Sequence, residues 1–157
     1  MFKTRVIVVL TLKDGVLTRS KRFVGDYVYT TSFLSTEAVD EVVIVDIGED
    51  RNEFYKAARA YADRCFSPIT IGGHIKTLDD CKRILHEIGG DKALVNTALV
   101  ERPESVDEIA AKFGSQFLVA GIDVTTLYNR WHVTKNHGGT VTTRMAVEWA
   151  KELESRG

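Results

Sequence analysis

Two aspartates stand near the ends of apolar runs, where a carboxylate can do acid–base work. Asp123 follows FLVAGI at residues 117–122, and Asp46 lies late in VVIVDI at 42–47. At the C-terminal end of a buried strand a carboxylate is desolvated on one side and faces the ligand side of an α/β sheet. That suits a general acid or base, although a helix cap or a loop ion pair would use the same residue type. Two further strand ends carry binding chemistry. Gly72 and Gly73 follow ITI (69–71), and Asn96 and Thr97 follow ALV (93–95). Glycines let a ligand approach the backbone and Asn and Thr supply donors, so the pair of ends can hold a phosphate; an ordinary turn also uses two glycines. His74, next to the glycines, can touch the same ligand. No nucleophile pattern surrounds it, and H-E-x-x-H, Cys-x-x-Cys and phosphate-loop motifs are all missing, so neither metal nor cofactor is expected.

Charge also marks the opposite, N-terminal strand ends, at Arg5, Glu41 and Lys92. At corresponding heights these would meet at the mouth of a closed sheet, either as a plain ion-pair plug or as a functional ring. Of the other histidines, His86 falls on a solvated helix face. His132 and His137 lie in a polar, hairpin-like stretch, NRWHVTKNHGG.

Regular elements must position these groups. The run VIVVLTL (6–12) is continuous and β-branched, as in a strand buried on both faces, and four similar runs follow it. Strand starts near 5, 41, 69, 93 and 117 lie 36, 28, 24 and 24 residues apart, the spacing of repeated strand–helix units with parallel strands. Between them, residues 52–64 carry Phe54, Tyr55, Ala58 and Tyr61 at helical spacing. Thr77 reads as an N-cap before a stripe of Cys81, Ile84, Leu85 and Ile88. Pro103 opens a helix with Val106, Ile109, Ala110 and Phe113, and Met145, Val147, Trp149, Ala150 and Leu153 mark the last one. We count five βα units without a linker, a single domain over 1–157. The wide first gap holds a basic insertion, KDGVLTRSKRFVGD (13–26), expected as an active-site loop. Periodicity alone allows a doubly wound sheet, since a (β/α)₈ barrel needs about 250 residues.

Composition narrows the class. The 157 residues are 44% apolar and 27% charged, with net charge -1, which excludes disordered and low-complexity classes and gives no basic footprint for nucleic acid or anionic membrane. Cys65 and Cys81 have neither metal-ligand spacing nor disulfide density, which suits a reducing cytosol. The apolar stretch after Arg5 is too short for a membrane span and lacks a cleavage site, so a cytoplasmic chain is expected.

Taken together, RVIVVLTLKDG, VDEVVIVDI, ITIGGHI, DKALVNTALVERP, FGSQFLVAGIDV and VEWAKELESRG resemble the HisF family, the cyclase subunits of imidazole glycerol phosphate synthase. The resemblance runs through essentially the whole chain. It implies a (β/α)₈ TIM-barrel fold, here an incomplete barrel of five parallel βα units. It also implies a glutaminase partner (HisH-like) that delivers ammonia through the barrel to a phosphorylated or nucleotide-linked acceptor at the C-terminal face. Residue by residue, Asp123 falls on the catalytic acid/base of the fifth strand. Asn96 and Thr97 fall on the phosphate-binding pair, with Gly72, Gly73, His74 and Asp46 on the substrate side. Arg5, Glu41 and Lys92 fall on the ammonia gate, and Asp91 on a partner-facing acid. Arg19 stands where the mobile first loop offers a lysine.

Three departures bear on activity. Thr11 replaces the family's other catalytic aspartate, and a threonine does not relay a proton near neutral pH as a carboxylate does. His74 replaces the third glycine of a G-G-G-I turn and adds bulk at the phosphate side. The last three units, with the second phosphate site and the fourth gate residue, would lie beyond the fifth helix. Loss of the first aspartate, with RCFSP (64–68) and VEWAK (147–151), resembles the paralogue branch that amidates sugars for bacterial surface polysaccharide. The alternatives are the histidine-pathway cyclase, a lyase, and an inactive truncated barrel that only binds a partner. Five strands leave two open edges, so self-association through them is expected.

Overall fold

The computed structural model describes residues 4–21, 24–29 and 39–157, apart from the side chain of Asp26. Residues 22–23 of the expected active-site loop and 1–3 of the chain start lie outside the described residues. The fold comprises two compact units, Met1–Ala93 and Leu94–Gly157.

The first unit is a sheet backed by helices. Its strands are β1 (Ile7–Lys13), β2 (Val16–Lys21), β3 (Val24–Val28), β4 (Glu41–Asp46) and β5 (Ile69–Gly72), in the order β3-β2-β1-β4-β5, with Lys92 and Ala93 opening β6 (Lys92–Val95) next to β5. β1, β4 and β5 are parallel, with Leu10 beside Ile44 and Ile44 beside Ile71. Register-paired side chains share a face, so Leu10, Leu12, Val42, Ile44, Ile69 and Ile71 form one fully buried surface. Helices α1 (Arg51–Ala62) and α2 (Leu78–Arg83) contribute Phe54, Ala58 and Cys81 to this core. Each such side chain stabilises by roughly 1.5–3 kcal/mol on leaving water. The other face carries Ile7, Val9, Thr11, Val43 and Val45 and is open, with Val9 62% exposed.

Caps set the helix starts. Asp50 accepts the N–H groups of Asn52 and Glu53, and Thr77 forms a reciprocal capping box with Asp80, as its sequence predicts. Beyond Arg83 the helix widens into a π turn, Ile84–Ile88, closed by the Gly89 N–H on the Ile84 carbonyl. That shift in phase turns Leu85 outward, to 40% exposure, and corrects its place in the expected stripe.

The basic insertion is also corrected. It is not a loop but the β2–β3 arm, which extends the sheet antiparallel from β1. Asp14 and Gly15, both at positive φ, make the two-residue turn between Lys13 and Val16. Asp-Gly between apolar alternations is the sequence signal for such a turn. β2 thereby covers the β1 edge at Leu12 and Lys13, part of the edge expected to be open.

The second unit holds the remainder of β6, then α3 (Thr97–Glu101), α4 (Glu104–Phe113), β7 (Leu118–Ala120) and α5 (Ala146–Arg156). Between β7 and α5 lies a separate antiparallel sheet of β8 (Asp123–Leu127), β9 (Arg130–Lys135) and β10 (Thr140–Met145), in the order β10-β9-β8. Tyr128 and Asn129, both left-handed, join β8 to β9, and the hairpin expected from NRWHVTKNHGG is β9–β10. Trp149 and Leu153 anchor α5, with the Arg144 guanidinium 4.4 Å over the indole ring.

Candidate active site at the strand ends

At the N-terminal strand ends of the first unit, three charges converge. Glu41 opens β4 almost fully buried, and its Oε1 accepts from Lys92 Nζ at 3.1 Å and from Thr70 Oγ1 at 2.8 Å. Arg5 Nη1 lies 3.8 Å from Oε2. Burial works to raise the Glu41 pKa, but the Thr70 and Lys92 hydrogen bonds and the charges of Lys92 and Arg5 outweigh it and hold the group below its ordinary value. Thr70, buried in the middle of ITI, is a member that sequence reasoning missed. Its position one strand over, on the Glu41 face, follows from the β4–β5 register.

Asp91, next to Lys92, is exposed. Its Oδ2 accepts the Ile69 N–H at 2.8 Å, so the carboxylate serves the start of β5.

At the other end of β1 and β4, register separates Thr11 and Asp46, two residues expected at one end of the sheet. Thr11 lies beside Val45, and Leu12 beside Asp46. Thr11 therefore faces the open side of the sheet, while Asp46 is on the helix-covered side, 1% exposed. Asp46 is buried at the same strand end. Its Oδ1 accepts the Gly48 N–H at 2.9 Å, and burial raises its pKa against the lowering charges of His74 and Arg51. Gly73, at φ +99°, passes so close to β4 that an added Cβ would meet the Asp46 carbonyl oxygen at 2.4 Å. His74 is left-handed too, and Arg51 Nη1 donates to its carbonyl at 2.7 Å. Arg51 also stacks over Tyr55 and lies 3.8 Å from Asp80. Gly72 ends β5 on the face of Val45, with Thr11 one strand further.

Arg19 is on β2, paired with Tyr27 of β3 and 6.0 Å over its ring, so it sits in a hairpin rather than a loop. Asp14 was also missed. Its Oδ1 accepts the Glu49 and Asp50 N–H groups at 2.9 and 3.0 Å, which lower its pKa and tie the β1–β2 turn to the loop before α1.

The second unit brings Asn96, Thr97 and Asp123 together. Asp123 does not end the fifth strand. β7 stops at Ala120, Gly121 makes a last bond to the Val95 carbonyl at 2.7 Å, and Asp123 opens β8 opposite Thr134. It is half-buried, and burial raises its pKa, while the Asn96 amide donating to it and the His137 charge lower it. Asn96 Oδ1 is buried with no hydrogen-bond partner among the described residues. Thr97 starts α3, and its hydroxyl oxygen accepts the Asn136 N–H at 3.2 Å. The group combines a half-buried carboxylate of raised pKa with a free buried acceptor and a hydroxyl.

The chain is similar to known proteins along nearly its whole length. The family model described as "Histidine biosynthesis protein" matches residues 5–157. The chain is 40% identical to "Imidazole glycerol phosphate synthase subunit HisF" of Hydrogenobaculum sp. (strain Y04AAS1) over 166 residues, covering 100% of this chain and 66% of that relative. It is 37% identical to the protein of the same name from Campylobacter concisus (strain 13826), covering 99% and 65%. The chain thus spans just under two-thirds of these relatives. No described helix is long and apolar enough to cross a membrane. With parallel strand–helix units of the barrel type and a family match along nearly its whole length, the chain belongs to the histidine biosynthesis protein family.

Proposed function

We propose that this chain is the ammonia-accepting synthase subunit of a glutaminase-coupled, cytoplasmic enzyme, built as one partial-barrel domain over residues 1–157. The observation that carries the reading is Asp123, held half-buried by Asn96 beside Thr97 in a chain of this family. Ammonia from a HisH-like glutaminase docked near Asp91 passes the Arg5–Glu41–Lys92 cluster and adds to the acceptor. Asp123 takes the proton that the new C–N bond releases, and can return it to the leaving oxygen as water departs. Its raised pKa suits both steps. Asn96 and Thr97 hold the phosphorylated part of the acceptor.

The names of the relatives favour closure of an imidazole ring. One observation favours amidation of a nucleotide-linked sugar instead: Thr11 occupies the open-face position where a second carboxylate would assist cyclisation. Exposed Ile7 and Val9 also favour self-association, which light scattering reads directly. Co-purification with a glutaminase, followed by mass spectrometry of the product formed from labelled ammonium, tests the reading. A labelled imidazole product supports the cyclase and a labelled amino or amidino sugar the amidating branch; a chain that binds a partner yet labels nothing is a binding module.

A further inference from the structure

We propose that Lys135 and Glu101 are positioning residues for Thr97: through them the β9–β10 tip clasps α3 and leaves the Thr97 hydroxyl proton to be donated to a phosphate group. The inference rests on the reading of Thr97 as a phosphate-holding residue and deepens it.

The clasp grips one face of α3 at two points. Thr97 and Glu101 stand four residues apart on this helix, so their side chains lie one above the other on the same side. Two adjacent residues of the hairpin meet them. Lys135 Nζ lies 2.7 Å from Glu101 Oε1, and the Asn136 N–H donates to Thr97 Oγ1 at 3.2 Å. Lys135 is paired with Thr140 across the β9–β10 ladder, so the tip begins at Asn136. It is closed tightly from within. Asn136, His137 and Gly138 are all left-handed, the Gly139 N–H donates to the Asn136 carbonyl at 2.9 Å, and the Asn136 side-chain amide donates to Thr140 Oγ1 at 3.4 Å. A helix of five residues has little stability of its own, which leaves its orientation to such outside contacts.

Hydrogen-bond arithmetic then fixes what Thr97 can do. A hydroxyl carries one proton and two lone pairs. The Asn136 N–H occupies a lone pair, so the Thr97 proton is left for another acceptor, and among the described residues no hydrogen bond takes it. The neighbouring Asn96 amide is already committed to Asp123. A phosphate oxygen, which accepts strongly, fits the remaining hydroxyl donor.

Inorganic phosphate titrated into the full chain by calorimetry tests the clasp. Glu101→Gln removes a negative charge, so charge alone would tighten binding, whereas a broken clasp is expected to weaken it about fivefold. Lys135→Met is expected to weaken binding as much, and the exchanged pair, Lys135→Glu with Glu101→Lys, to restore it to within about twofold. An exposed ion pair adds little to stability, so these variants stay folded. Binding that is unchanged or tighter in Glu101→Gln overturns the proposal. Hydrogen exchange of the Asn136 amide, followed by NMR without ligand, reads the clasp separately. Exchange is expected to be at least about tenfold faster in Thr97→Val and in Lys135→Met, and unchanged rates in both also overturn the proposal. A protein that shows this coupling but binds no phosphate would contradict the proposed function and leave the clasp standing.

Discussion

Asp91 and Ile69 are joined by two hydrogen bonds: the Asp91 N–H donates to the Ile69 carbonyl at 2.8 Å, and the Asp91 carboxylate accepts the Ile69 N–H at 2.8 Å. Asp40 makes the same double contact with Val6, at 2.9 and 2.8 Å. An aspartate one residue before a parallel strand thus fixes the register of its neighbour. Asp91→Ala is expected to cost about 1.5–3 kcal/mol, the scale of a hydrogen bond to a charged group, and Asp91→Asn less. Urea unfolding measures both. A neutral Asp91→Ala would leave the carboxylate free for a partner alone.

Glu41 links acidity to stability. Its folded pKa lies below its ordinary value, so it contributes stability that is present above the ordinary carboxylate range and is lost as pH falls through the folded value. Stability is therefore expected to be flat near neutrality and to fall in acid, and Glu41→Gln should flatten part of that fall. Denaturant midpoints at a series of pH values check the sign. Glu41→Ala or Lys92→Ala is also expected to change ammonia passage more than acceptor binding.

Asp46 carries the opposite sign. Burial raises its pKa, so its contribution is complete below the ordinary value and is lost as pH rises through the folded one. Asp46→Asn keeps an acceptor for the Gly48 N–H and removes the buried charge, so it should leave stability at neutral pH unchanged or higher. Asp46→Ala abandons that N–H and is expected to cost about 1–3 kcal/mol. Thermal melts of the two variants should move apart.

Gly73 is required by close approach, with the Asp46 backbone where a Cβ would be. Gly73→Ala should cost about 1–3 kcal/mol from left-handed strain alone, and more from the clash. Loss of phosphate binding with full stability would show that the glycine serves the ligand only.

Much of this was legible in the residues. The β-branched runs predict the parallel strands, and Thr77 announces its capping box; the expected burial of the first run on both faces is corrected, since Ile7 and Val9 are exposed on one. Two things were hidden. Asp46 and Thr11 sit at matching strand ends, yet a one-residue offset in register sends them to opposite faces, and pattern alone does not state register. Asp123 was placed on the fifth strand because FLVAGI runs into it, whereas the chain turns at Gly121 to start a new sheet. The Asp14-Gly15 turn is legible as a hairpin signal within the basic insertion.

In the proposed reaction Asp123 moves protons for ammonia addition. The most direct measurement uses the protein purified with its co-purifying glutaminase, supplied with amide-¹⁵N glutamine and the phosphorylated acceptor, with the product read by mass spectrometry. The unmodified complex should incorporate ¹⁵N. Asp123→Asn should co-purify and fold as before while incorporation falls by at least about a hundredfold. Incorporation that survives in Asp123→Asn, or a loss of several kcal/mol in its stability, would contradict the account and make Asp123 a structural group.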